Sequence, residues 1–585
     1  MILTKINLIS MSCIVGFKLY FDNLLIVLII FAINFHSFEL YGQSRSFAGL
    51  PQLKPKSPLE YQDHLNDTEE YYHILNIYER LVEAKGDKRM PVPKLSLRKE
   101  EGYVASMDYR LLDISLEKKA YDVAKKYGDS GIAFLLAHEL VHYYEKHGWR
   151  NQFADESSDL KTGKLLAKIN DDLANEVQAD VLGGFLAYSA GFGLFDKGGD
   201  LISELYAAYK MKDNLKGYPS KKERIELANR TQSQVEQMSA IFETAMYLTI
   251  IGKFETAYVY YGYLLNRYQS KEIYNNAGLT ALLAATAKID PKLLIFEFPM
   301  IFDIEFSGSS RNSSAIEEAQ KLLHEAIILF ETSILMNPAY ITPYINKSTA
   351  YIMLHLLSID LESKLKYLSK AKHTLSIEAS EAFDLNDYDL NVKFIDHFNV
   401  LNSIQAYLSG EKDLAIHILQ ESVDRDHQLA IRNLNVMMHG PLTQSKPTPF
   451  GDNHELLIDG MNAKKFLELR MVSKNISRIN DKNQFRFVNQ KNSSYQVHLH
   501  EFKGDDQNFG FQICFLSNKN VYQDKVFEDL KIGHPKEDFI ETLGKPIRYY
   551  SHLNGEVFLF QNNIITISDS QGIVTKIINY AVKQN

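Results

Sequence analysis

The stretch LLAHELVHYYEKHG, residues 135–148, decides how this chain reads. Two histidines four positions apart stand one turn apart on a helix, so His138 and His142 project from one face and can reach a single cation. Glu139 lies between them, beside that cation without having to bind it, where a general base for a metal-bound water belongs. The flanks support a helix: Asp129 or Ser130 can cap it, the helical pattern covers residues 131–147, and Gly148 sits where helices commonly end. Leu135, Leu136, Ala137, Leu140 and Val141 surround the polar groups with apolar surface, and charge in such surroundings is costly unless paired or metal-bound.

Zinc needs a third protein ligand and an open fourth position. The metzincin solution, glycine and histidine three and six places after the second histidine, is absent, because Glu145 and Gly148 stand there. A second apolar-patterned helix, LANEVQADVLGGFLAYSAG at residues 173–191, supplies another solution. Glu176 can bind the metal, and Asp180, four residues on and facing the same way, can accept a hydrogen bond from a ligand histidine and fix its tautomer. Gly183 continues that face and allows the two helices to approach closely.

His-Glu-x-x-His followed by Glu-x-x-Ala-Asp-x-x-Gly resembles the signature of the gluzincin peptidases that include the HtpX, CAAX prenyl endopeptidase and BepA groups, over roughly residues 61–230. The resemblance implies one zinc per chain held by His138, His142 and Glu176, with Glu139 as base. BepA-type proteins also carry tetratricopeptide repeats after the protease domain. The family often has His-Pro in a loop after the second helix, whereas this chain reads GYPSKKERI. Tyr218 stands in the histidine's place and is a candidate donor to a developing oxyanion, with Arg224 a second. The expected reaction is peptide hydrolysis: zinc lowers the pKa of its water toward about 7, Glu139 takes the proton, and the hydroxide attacks the carbonyl. An extended substrate can add as a strand beside residues 103–107, and the polar segment 149–170 is a candidate lid or a plain connector. The rival reading is a catalytically inactive protease-like scaffold whose repeats bind a protein partner. An intact Glu139 speaks against it.

Outside this region the pattern changes. The chain has 585 residues, 45% hydrophobic and 23% charged, which is globular, and its net charge of -9 offers no basic stripe for nucleic acid. LLIVLIIFAINF, residues 24–35, preceded by Lys5 and Lys18, suits a signal peptide covering residues 1–42, so an exported, periplasmic or secreted protein is expected; an uncleaved membrane anchor is the alternative. Cys13 would leave with the signal, and Cys514 then has no partner for a disulfide. Residues 43–58 read as a linker, and a helix with apolar residues from Tyr72 to Val82 opens the protease domain, 59–232. Two strands are expected within residues 93–115 and a helix over 116–126.

From 233 to 440 the pattern is helical and resembles degenerate 34-residue repeats: Gly252, Phe254, Ala257 and Tyr261, then Asn275 and Gly278, Ala326 and Phe330, Gly410 and Ala415. Residues 447–585 alternate as strands around one helix closed by LGKP, similar to the SmpA/BamE-type modules of envelope proteins. The expected fold is therefore multidomain: a mainly α-helical zincin-type (α+β) protease domain, a tetratricopeptide-like array and a C-terminal α+β strand-rich domain. GFGLFDKGG lacks the spacing that cradles a pyrophosphate, which excludes a dinucleotide site.

Overall fold

A computed structural model describes residues 45–46, 65–99, 104–162, 172–211, 220–290, 292–300, 315–384 and 388–440, and, in the C-terminal region, 476–479, 483–489, 495–502, 507–515, 530–552, 555–560, 563–569 and 571–584. The signal segment, most of the 43–58 linker and Tyr218 lie outside the described residues. The chain is mainly helical, with a strand-containing C-terminal region. Among the described residues no helix is long and apolar enough to cross a membrane.

The N-terminal region is built on a small sheet with helices packed on it. Helix α1, Glu69–Lys85, starts where the Thr68 side chain accepts from the Tyr71 N–H, and it buries Ile74, Ile77, Tyr78 and Leu81 at helical spacing. Strands β1 (Arg45–Ser46), β2 (Lys94–Arg98), β3 (Ala105–Asp108) and β4 (Asp113–Glu117) form a sheet in the order β1-β3-β4-β2. β2 runs parallel to β4, with Leu95 opposite Ile114, and β3 runs antiparallel to β4.

Two strands were expected here and three are present beside β1. Ile114 and Leu116 alternate with Ser115 and Glu117, a period of two that places Leu116 at the end of a strand and delays helix α2 to Lys118–Ala124. All five residues of β4 are buried. Their polar groups are matched: Ser115 meets Ser106 at 2.9 Å, Asp113 accepts from Ser96 at 2.6 Å and Arg98 at 2.8 Å, and Glu117 accepts from the Tyr209 hydroxyl at 2.8 Å. The linker reading also needs correction at two residues. Arg45 and Ser46 pair with Met107 and Ser106, so backbone bonding to β3 orders them despite their polarity.

Helix α3, Asp129–Tyr144, is the centre of the region, buried at every position from Gly131 to Tyr144. A helix apolar all round belongs in a core. It begins after Gly128, not at a side-chain cap: Ser130 instead donates to the Phe192 carbonyl at 2.7 Å, and Asp129 lies 3.0 Å from the His73 ring. It also stops earlier than Gly148. Lys146 takes a left-handed φ of 57°, and helix α4, His147–Glu156, starts at once over part of the expected lid. Gly148 serves as space, since a Cβ there would stand 2.3 Å from the Tyr109 ring.

Helix α5, Asp172–Ala187, packs along α3, and α6, Gly198–Ala208, follows. Helix α7, Lys221–Ile250, opens with a capping box between Ser220 and Glu223 and runs through the expected boundary at 232/233, so the regions on either side share one helix. Most successive helices to His439 pack on the next. The first turn is made by Gly252 at φ 83°, and Ala257, Tyr261, Asn275, Ala326, Phe330 and Ala415 are all fully buried. In the C-terminal region, among the described residues, strands β5 (Ile476–Arg478), β6 (Asn483–Asn489), β7 (Tyr495–Phe502), β8 (Gln507–Phe515), β9 (Arg548–His552), β10 (Gly555–Leu559), β11 (Ile564–Asp569) and β12 (Val574–Gln584) form an antiparallel sheet in the order β5-β6-β7-β8-β12-β11-β10-β9. The expected helix there is Lys536–Leu543, between Pro535 and Gly544.

Candidate metal centre

Three side chains from α3 and α5 converge. The Nε2 atoms of His138 and His142 are 2.9 Å apart, and the Glu176 carboxylate oxygens lie 3.4 Å from the first and 3.5 Å from the second. Ligand atoms held tetrahedrally at zinc distances are separated by about 3.3 Å, so the triangle has the right size. All three residues are buried, and the group can hold a metal ion.

The approach of α5 to α3 makes this possible, and Gly183 sets it. A Cβ at residue 183 would fall 2.9 Å from the His138 backbone nitrogen, which belongs to a helix and cannot move aside. Gly183→Val gains only a few tenths of a kcal/mol in helix propensity and costs about 1–3 kcal/mol in overpacking. Denaturant unfolding should therefore show a clear net loss, and wild-type stability in that variant would refute the close-approach argument.

A second layer holds the ligands. His138 Nδ1 lies 2.8 Å from Asp180 Oδ1, and Asp180 Oδ2 faces Arg224 Nη1 at 3.4 Å. His142 Nδ1 lies 2.8 Å from His147 Nδ1, and His147 Nε2 is 3.1 Å from Gln178 Oε1. The Tyr109 hydroxyl donates to the His142 carbonyl at 2.8 Å. Glu139 is 1% exposed, is touched by the Met107 backbone N–H, and has one carboxyl oxygen, Oε1, without a hydrogen-bond partner. Oε2 of Glu176 has the His138 ring nitrogen beside it at 3.4 Å. A buried carboxyl oxygen left like that of Glu139 fits a cation and its water better than an apolar core.

Burial pushes the Glu139 carboxyl up to about 8, with His138 pulling it down and Glu176 adding to the rise. Burial raises Glu176 too, but the charges of His142, His138 and Arg224 overcome it and hold that carboxyl down at about 2. For His138 burial works against the charged ring, yet the hydrogen bonds to Asp180 and Glu176 raise it to about 10. Burial lowers His147 to about 4. Asp180 stays below the usual carboxylate range because Arg224 and His138 outweigh its burial. Buried anions facing a proton on His138 are what a divalent cation can exploit by displacing that proton.

The structure thus brings together His138, Glu139, His142, Glu176 and Asp180. It sets Arg224 elsewhere than expected: 1% exposed and against Asp180, this guanidinium reaches the centre through Asp180 and His138. The expected substrate edge is also occupied, because Arg45–Ser46 pairs with β3. Sequence reasoning missed His147 and Gln178. His147 is five residues beyond His142, about 140° around a continuous helix, and only the break at Lys146 turns it back. No protein-family model matches the chain, and no curated protein matches it.

Proposed function

We propose that the protein is a zinc-dependent endopeptidase acting on protein substrates. The observation that carries this reading is Glu139: a buried carboxyl with an unpartnered oxygen beside the His138–His142–Glu176 triangle. A purely structural metal site has no use for it, whereas hydrolysis needs a base there. Zinc bound by the three ligands would lower the pKa of water and polarise a carbonyl. Glu139 accepts the proton of the attacking water and passes it to the leaving amine. Asp180 keeps His138 oriented, with Arg224 compensating its buried charge. The Met107 N–H ties Glu139 to β3, so a substrate strand that displaced Arg45–Ser46 from β3 would lie alongside the base.

The helices from 221 to 439 fit a tetratricopeptide-like array that holds substrates or a partner, and the hydrophobic N-terminal segment supports export, with a role in envelope protein quality control. The test is direct. Purified protein should carry about one zinc per chain, and its cleavage of casein should stop with a chelator and return with zinc. Cleavage that persists after the metal is stripped would rule out this reading.

A further inference from the structure

We propose that His147 is a positioning residue that fixes the tautomer of His142 and so completes the metal site, an inference that rests on reading the site as a metal centre. His147 is fully buried. Its two ring nitrogens are both engaged, Nδ1 with His142 Nδ1 at 2.8 Å and Nε2 with Gln178 Oε1 at 3.1 Å.

The proton positions along this chain follow from its far end. Gln178 Nε2 lies 3.4 Å from Glu145 Oε2, and a carboxylate only accepts, so the Gln178 amide turns its NH2 toward Glu145 and its oxygen toward His147. An amide oxygen also only accepts, so His147 carries its hydrogen on Nε2. A neutral imidazole then has a lone pair on Nδ1. His142 Nδ1 must donate to it, which leaves the lone pair of His142 on Nε2, the atom that faces His138 and Glu176. His138 reaches the same state through its direct bond to Asp180. The two ligand imidazoles are thus anchored to carboxylates by different routes, one direct and one through His147 and Gln178. The local fold serves this contact: Lys146 ends α3 in the left-handed region, and Gly148 lets α4 start against Tyr109, whose hydroxyl holds the His142 carbonyl.

The test compares zinc affinity of the full chain by competition with a chromophoric chelator, for wild type, His147→Ala, His147→Asn and Gln178→Leu. His147→Ala should bind zinc about 10–100-fold more weakly, as losses of such orienting partners do. His147→Asn, which restores an acceptor near the Nδ1 position, should recover most of that loss, and Gln178→Leu should weaken binding in the same direction as His147→Ala. Cobalt-substituted His147→Ala should also show an altered visible spectrum, which a change in overall stability would not produce. If His147→Ala does not fold, Gln178→Leu and His147→Asn still decide. Zinc bound as tightly by folded His147→Ala as by wild type, or no recovery in His147→Asn, would overturn the inference. Wild type that binds no zinc overturns the metal centre and this inference together, whereas zinc bound without hydrolysis of any substrate is a failure of the proposed activity alone.

Discussion

Replacing Glu139 by glutamine should leave zinc bound and lower peptide hydrolysis by about 10²–10⁴-fold, the usual contribution of a positioned general base. The substitution is nearly isosteric, and the amide oxygen can still accept from the Met107 N–H, so the geometry of α3 against β3 is kept. What is lost is the ability to take a proton. Glu139 does not belong to the ligand triangle, and its removal should not release the metal. The metal-free variant should also be at least as stable as wild type at pH 8, because it no longer has to ionise a carboxyl that is 1% exposed. Initial rates on a fluorogenic peptide, paired with metal analysis of the same sample, separate these effects. A rate within a few-fold of wild type would remove Glu139 from the mechanism.

The site was legible in the sequence where its geometry is local. His138 and His142 share a helix face by spacing alone, and Glu176, Asp180 and Gly183 share another, so bringing the two faces together required only that both helices be buried. The apolar residues around them forced that burial. What escaped the reading depends on breaks in periodicity. Nothing in YYEKHG marks Lys146 as left-handed, and a continuous helix points His147 away from His142. The Asp113–Glu117 strand was hidden for a related reason: its polar residues are buried with partners from β2, β3 and Tyr209, which stand 9 to 92 residues away in the chain. Arg224 was expected as a donor to an oxyanion; its observed partner, Asp180, is fixed only when α7 packs beside α5.

Removing the metal should introduce a fall of stability with rising pH that the zinc-loaded protein does not show. In the metal-free protein His138 is raised from 6.5 to about 10, so its contribution is complete below pH 6.5 and is lost as pH rises toward 10. Glu139, raised from 4.5 to about 8, acts in the same direction, its contribution disappearing as pH climbs from 4.5 to 8. Glu176, lowered to about 2, and His147, lowered to about 4, act oppositely but change only below pH 6.5. Between pH 6.5 and 8 the first two therefore prevail, and metal-free stability should fall by as much as about 1.4 kcal/mol per pH unit for each group. Zinc offsets the trend. It competes with the His138 proton and favours the ionised form of Glu139, so its apparent affinity should rise about tenfold per pH unit for each proton released. Asp180→Asn supplies the control: without that carboxylate His138 loses a main source of its raised pKa, and the affinity slope should drop by about one proton. Thermal melts in chelator and zinc titrations at pH 6.5 and 8 read both trends. An affinity that is flat across that range would mean that no proton leaves the site when the metal enters, and the buried carboxyl and imidazole could not then be the groups that meet it.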